Sequence, residues 1–294
     1  MPEAVIVAAA RTPIGRASKG SLVDLRPDEM AGFIVARVME RLPQLPPAEV
    51  DDLICGCGYP QGEAGMNVAR LAGLLSGLPF SVPATTVNRF CASSLQAIRM
   101  AFHAIRAGEG ETYVCAGVES VSRVRRIPTE AEKNPRLLVE GAFDTFAGAA
   151  CGVPGYMAMG MTAEIVAERH DVSRADMDEY ALRSQRRAAA ARDGGVFDRE
   201  IVPLATPGGA VVDSDDGIRA DTTLEKLASL APVFKEDGRV TAGNACPLND
   251  GAAAVVVMSD EKARRLGITP LARILASSVS GLDPRVMGVG PIEA

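Results

Sequence analysis

The feature that most narrows the fold is a series of short, charge-free segments spaced along the chain. Val5-Ile6-Val7-Ala8-Ala9-Ala10, Leu53–Cys57, Thr85-Thr86-Val87, Thr112–Ala116 and Ala252–Met258 are of this kind. The run at 5–10 is continuous and apolar, which suits a strand buried on both faces, the run at 252–258 is a second buried apolar strand, and the other three read as short strands. Helical patterns separate the first four. Pro27 with Asp28 and Glu29 is a helix start, and Met30, Phe33, Ile34, Val38 and Leu42 then recur at helical spacing. Asn67–Leu75 and Ser94–Ala107 predict two further helices. Strands alternating with helices imply crossover connections, hence an α/β fold with a largely parallel sheet.

After Gly117 the pattern changes. Residues 120–155 are polar, then rich in Gly and Ala, with weak periodicity. Two helices follow; the second is signalled by Ser173 with Asp176 three residues on, and by Gly194-Gly195 past its end. Short extended pieces and turns occupy 196–245. The apolar strand at Ala252–Met258 then resumes the first pattern, followed by a helix over Asp260–Leu266 and a last strand over Leu271–Ser280. The expected organisation is an α/β domain of residues 1–118 and 247–270, an inserted loop domain at 119–246, and the start of a further domain at 271–294.

Several function classes are excluded by content. A net charge of −6 argues against nucleic-acid binding, which draws its affinity from Lys and Arg on phosphates. No apolar run reaches the ~18 residues of a membrane span, and the run Ala4–Ala10 lacks the basic leader of a signal peptide. Six scattered cysteines do not form a disulfide framework, so a reducing cytoplasm is expected. With only His103 and His170, a histidine-rich metal site is excluded, and Cys55-Gly56-Cys57 has the wrong spacing for a Cys-x-x-Cys motif. Gly56-x-Gly58-x-x-x-Gly62 follows a strand but departs from the dinucleotide fingerprint and contains Pro60.

Cys91 is placed differently from the other cysteines. It lies where Thr85–Val87 turns into the helix beginning near Ser94, and its neighbours Ala92, Ser93 and Ser94 are small. Unpaired N–H groups and the positive end of the helix dipole favour a thiolate in such a position. A buried structural cysteine remains the ordinary alternative on position alone.

The surrounding residues carry a resemblance. Val87-Asn88-Arg89-Phe90-Cys91-Ala92-Ser93-Ser94-Leu95-Gln96-Ala97-Ile98 resembles the acyl-enzyme cysteine motif of thiolases. Val7-Ala8-Ala9-Ala10-Arg11-Thr12-Pro13-Ile14-Gly15 is similar to that family's opening strand and turn, and Ala116-Gly117-Val118-Glu119-Ser120-Val121-Ser122 to its Gly-Gly-x-Glu-x-Met-Ser element. Met159–Glu164, Tyr180–Gln185, Thr241–Asn244 and Leu248–Ala254 also match, in order and at natural spacing.

The resemblance implies a thiolase fold with an inserted loop domain that binds coenzyme A. It implies acyl transfer between a cysteine and coenzyme A, cleaving 3-ketoacyl-CoA or condensing acyl-CoAs. Cys91 corresponds to the nucleophile, and its backbone N–H to part of an oxyanion hole. Arg219 corresponds to the basic residue near the nucleotide, and Met159, Phe234, Ala242 and Leu248 to apolar contacts along the pantetheine. Coenzyme A enters as substrate; no cofactor or metal is expected, and a homo-oligomer, dimer or tetramer, is. The clusters Arg123, Arg125, Arg126 and Arg183, Arg186, Arg187 are candidates for attracting a polyanion, or simply solvated.

Departures from the family pattern carry expectations of their own. Ala158 stands where acetoacetyl-CoA thiolases place a histidine, which points toward longer acyl chains. Cys246 stands where many relatives have serine. The family's Asn-Glu-Ala-Phe motif, Gly-His-Pro histidine and Cys-x-Gly-Gly cysteine do not occur in these 294 residues. His103, twelve residues along the helix from Cys91, lies roughly 18 Å away. The expectation is a thiolase whose C-terminal half is truncated, with impaired turnover, or one completed by a second polypeptide. The alternative is a non-catalytic acyl-CoA-binding or assembly subunit.

Overall fold

The N-terminal apolar run forms the body of β1 (Ala4–Arg11), with Ala4, Val5, Val7, Ala8 and Ala10 buried. The computed structural model describes residues 1–124 and 157–294. After β1 come β2 (Gly15–Arg16), α1 (Pro27–Glu40), β3 (Asp52–Gly56), α2 (Val68–Leu75), β4 (Ala84–Val87), α3 (Ser93–Ala107) and β5 (Thr112–Ser120). Next are α4 (Met159–Arg169), α5 (Arg174–Asp193), the ribbon β6 (Leu204–Ala205) and β7 (Val211–Val212), and α6 (Leu224–Ala228). The described chain closes with β8 (Asn249–Ser259), α7 (Asp260–Arg265), β9 (Ala272–Arg273) and α8 (Gly290–Glu293).

The main sheet has the order β4-β3-β5-β8-β1-β9, with β2 beside β8. β3 runs parallel to both β4 and β5, whereas β8 is antiparallel to β5 and β1, and β9 antiparallel to β1. The largely parallel sheet expected from the sequence is therefore a mixed sheet. The crossover rule holds for β1, β3, β4 and β5, which are joined by helices and point the same way. β8 returns after a long excursion, so nothing ties its direction to theirs. The expected strand Leu271–Ser280 pairs only at Ala272–Arg273, opposite Ile6 and Val5, and Leu271 and Leu275 are exposed.

Helices cover both faces. Met30, Ile34, Val35 and Val38 of α1 and Val68, Ala69 and Ala72 of α2 pack with Leu53, Cys55, Val114 and Val256. On the other face, Ala97, Ala101 and Ile105 of α3 pack with Ile54, Tyr113, Cys115 and Val257. Handedness explains the division. The chain moves from β1 to β3 to β4 in one direction across the sheet, then reverses to β5, and right-handed crossovers place helices on opposite faces when the direction reverses.

Two compact units result, one of 1–125, 192–217 and 248–276, the other of 126–191, 218–247 and 277–294. The insert expected at 119–246 is thus interrupted: 192–217 packs with the first unit. Arg11 is the reason. Its guanidinium forms a two-pronged pair with Asp215 (2.8 and 3.0 Å) and a third bond to Glu200 (3.0 Å), while the Val202 N–H donates to the Arg11 carbonyl at 2.8 Å. In the second unit, α5 begins as expected: the Ser173 N–H donates to Asp176 Oδ2 (2.9 Å) and the Asp176 N–H to Ser173 Oγ (3.1 Å). Residues 277–294, expected to begin a further domain, belong to this unit, where Asp283 pairs with Arg169 at 3.7 Å.

Candidate active site

β3 and β5 bring Gly56 and Gly117 into register as neighbours near their carboxyl ends. The absence of side chains there lets the first turn of α3 rest on the sheet. A Cβ on Gly56 would lie 2.4 Å from the Ser93 carbonyl carbon and the Ser94 nitrogen, and one on Gly117 would lie 2.7 Å from Ser94 Cβ. Gly56 and Gly117 therefore work as packing glycines, which for Gly56 takes the place of a phosphate-loop role.

Between β4 and α3 the chain makes a single 3-10 turn, Phe90–Ala92, that presents Cys91 to solvent. Phe90 sits at φ +45°, a left-handed conformation that phenylalanine avoids. Its peptide groups are held at both ends. The Phe90 N–H donates to Asn88 Oδ1 at 2.8 Å, and the Phe90 carbonyl accepts from Ser93 Oγ at 2.6 Å; Ser93 Oγ itself accepts from the Arg89 N–H at 2.8 Å. Asn88 Nδ2 donates to the Gly58 carbonyl at 3.0 Å, and the Tyr59 and Phe90 rings meet edge to face, centroids 6.2 Å apart. The Gly58–Tyr59 turn is held in turn by Glu119 of β5, whose carboxylate accepts from the Gly58 N–H (2.8 Å) and the Tyr59 N–H (3.1 Å). Burial raises the Glu119 pKa, opposed by those two N–H groups.

The described cysteines separate into two classes. Cys55, Cys57 and Cys115 are buried, and burial pushes their thiols up, Cys57 to about 12 with Glu119 adding to the effect. Cys91 and Cys246 are exposed. His103 lies on α3 with its ring edge-on to Phe102 at 5.1 Å, and His170 caps the carboxyl end of α4 in the second unit. Among the described residues no cluster of His, Cys, Asp or Glu could hold a metal ion.

Met159, Arg219, Phe234 and Ala242 lie on the second unit, whereas Leu248, exposed beside the start of β8, belongs to the first. Met159 opens α4, and Phe234 lies across the next residue: a Cβ on Gly160 would be 2.1 Å from the Phe234 ring. Ala242 is exposed on a turn tied to both long helices. Glu164 of α4 accepts from the Val240 N–H at 2.7 Å and the Arg239 N–H at 2.9 Å. Asn244 accepts from the Thr241 N–H at 2.8 Å and donates to Asp178 of α5 at 3.0 Å. Arg219 is exposed, its N–H donating to Gln185 of α5 at 2.8 Å. Arg183, Arg186 and Arg187 line a hollow on α5. The other basic cluster is not available as read: Arg125 and Arg126 lie outside the described residues, and Arg123 is paired with Glu63 at 2.6 Å.

Sequence reasoning missed the supporting roles of Asn88, Ser93 and Glu119. A signal existed for two of them. Asn two residues before a strained position is the pattern of an Asx turn, and Glu119 is the one acid inside the apolar strand Thr112–Ser120.

A family model described as thiolase, N-terminal domain, matches residues 4–261. The 3-ketoacyl-CoA thiolase of Bacillus subtilis is 43% identical over 306 residues, covering 100% of this chain and 75% of that protein. A beta-ketoadipyl-CoA thiolase of Acinetobacter baylyi is 44% identical over 311 residues, with the same coverage. Among solved structures, the Bacillus anthracis acetyl-CoA acetyltransferase superimposes with a TM-score of 0.84 at 38% identity, covering 99% of this chain and 74% of that one. Human mitochondrial 3-ketoacyl-CoA thiolase in complex with CoA gives 0.84 at 36% identity, covering 100% and 74%.

Proposed function

This chain belongs to the thiolase family and is an acyl-CoA acyltransferase, and we propose that Cys91 is the thiol that carries the acyl group. The observation that supports this is its position. Of the described cysteines only Cys91 joins an exposed thiol to a helix N-terminus, on an elbow fixed at both peptide groups. In the forward step the Cys91 thiolate attacks the keto carbon of a 3-ketoacyl-CoA. The new S–C bond forms as the adjacent C–C bond breaks, and the departing acetyl-CoA carbanion takes a proton from water. Coenzyme A, its thiol proton lost to water, then attacks the acyl carbon as thiolate; the C–S bond to Cys91 breaks and the Cys91 sulfur leaves as thiolate. Charge developing on the carbonyl oxygen is stabilised in part by the Cys91 backbone N–H.

Coenzyme A is the second substrate, with the second unit as its holder. Met159, Phe234 and Ala242 supply the apolar strip for the pantetheine, and Arg219 takes the phosphorylated nucleotide end. With Ala158 before Met159, the acyl group is longer or bulkier than in acetoacetyl-CoA. We place the protein in the cytoplasm as a homo-oligomer; the free thiols of all five described cysteines fit a reducing compartment. No helix among the described residues is long and apolar enough to cross a membrane.

Incubation with a medium-chain acyl-CoA followed by peptide mapping tests the nucleophile. The acyl group is expected on Cys91 and absent in Cys91→Ala. Acylation of Cys246 instead, or of the Cys91→Ala protein to the same extent, would remove Cys91 from the role.

A further inference from the structure

We propose that Glu119 is a positioning residue for Cys91, acting through the Gly58–Tyr59 turn and Asn88. The inference rests on the reading of Cys91 as the acyl-accepting thiol. It starts from a carboxylate whose location the sheet itself does not call for. The remainder of β5 is Thr-Tyr-Val-Cys-Ala-Gly-Val and Ser, a strand that pairs and packs without an acid. Burying a carboxylate is costly unless its oxygens are bonded. Here each oxygen takes one of two consecutive N–H groups, those of Gly58 and Tyr59. Gly58 is shaped to that arrangement: a Cβ there would lie 2.8 Å from Glu119 Oε2 and 3.5 Å from Phe90 Cα.

From the clamped turn, two contacts reach the elbow. The Gly58 carbonyl accepts from Asn88 Nδ2, and the other end of the same amide accepts the Phe90 N–H, while the Tyr59 ring rests against the Phe90 ring. Phe90 at φ +45° does not hold its conformation by itself, so its surroundings must determine it. The turn provides that determination and Glu119 anchors the turn. Cys91 follows directly in the chain. The resulting order is Glu119, Gly58–Tyr59, Asn88, Phe90, Cys91, all within the first compact unit.

The test compares iodoacetamide alkylation of Cys91 in the 294-residue protein and in Glu119→Ala, Glu119→Gln and Asn88→Ala. Cys246, exposed in the other unit, is the internal reference, and circular dichroism checks the fold. Glu119→Ala is expected to slow Cys91 about tenfold, because alkylation by a free reagent follows the access and local electrostatics that the held turn sets. Glu119→Gln keeps one acceptor oxygen and should fall between it and the wild type. Asn88→Ala, at an exposed position, should slow Cys91 as well, and it decides the matter if Glu119→Ala does not fold. Cys246, exposed in the other unit, should react at one rate throughout and so normalises for reagent, while circular dichroism separates a loss of fold from a displaced turn. Wild-type alkylation of Cys91 in folded Asn88→Ala or Glu119→Ala overturns the proposal. If wild-type Cys91 reacts no faster than Cys246, the reading of Cys91 as nucleophile fails first, whatever the variants do.

Discussion

Replacing Gly56 by alanine should damage both stability and the reactive turn, by amounts the structure sets. The added Cβ would stand 2.4 Å from two backbone atoms of Ser93 and Ser94, where ordinary contact needs 3.4 Å or more. Neither atom belongs to a flexible side chain, so the first turn of α3 must retreat by roughly 1 Å. Overpacking of this kind costs about 1–3 kcal/mol. The same retreat carries Cys91, two residues before Ser93, and a 1 Å error at a reacting atom can cost about a hundredfold in rate. Gly117→Ala meets only the Ser94 Cβ, at 2.7 Å, and should do less on both counts; Gly281→Ala, with open space around it, should do nothing. Urea denaturation with the m-value unchanged gives the stability loss, and the rate of Cys91 acylation by an acyl-CoA gives the second. If Gly56→Ala unfolds at the wild-type midpoint and Cys91 reacts at the wild-type rate, α3 does not rest on this glycine.

Other expectations concern the second substrate, acid stability and association. Arg219→Ala should weaken coenzyme A binding, more so at low ionic strength where an exposed guanidinium is less screened; calorimetry showing no change at low salt removes Arg219 from the site. Arg265 and then Ser259 hold the Glu111 carboxyl below its ordinary 4.5. Its contribution is therefore present above about that pH and lost as pH falls through the depressed value. Glu111→Gln should cost roughly 0.2–1 kcal/mol at neutral pH, the range of solvent-exposed pairs, and the gap should close in acid; a gap that widens in acid contradicts the assignment. Met66, Phe80, Phe90 and Leu95 are exposed on the first unit, so the purified 294-residue chain should self-associate. Light scattering that finds a monomer with no affinity for a hydrophobic dye would count against this.

Local chemistry was legible in the sequence wherever a few adjacent residues decide the structure. Asn67 caps α2, accepting from the Arg70 N–H at 3.3 Å, and Ser173 with Asp176 caps α5. The turn bearing Cys91 lies where a charge-free strand meets a helix that opens on the small residues Ser93 and Ser94. What was not legible depends on partners far away in the chain. A strand buried on both faces has the same pattern whichever way it runs, so β8 gave no sign of its antiparallel direction. The return of 192–217 to the first unit depends on Arg11 meeting Asp215 across 204 positions, and no spacing rule reaches that far. The glycines at 56 and 58 were visible, but what a Cβ would strike there is set by α3 and Glu119.

Topology then explains why these separate features meet. β3 and β4 are parallel neighbours, so their carboxyl ends open on one edge of the sheet. The connection leaving β3 runs to α2 on one face, and the connection leaving β4 runs to α3 on the other. Neighbouring strands whose exits part in this way leave a crevice between them, the place where open α/β sheets put their ligands. Gly58 and Tyr59 lie on the first exit and Phe90 and Cys91 on the second, while Glu119 comes from the end of β5 on the other side of β3. An acid, a glycine and a thiol from three chain segments thus converge because one reversal of winding direction brings three carboxyl ends together. Cys91 is exposed there because the crevice is open, and it can be held because the strands beneath it are rigid.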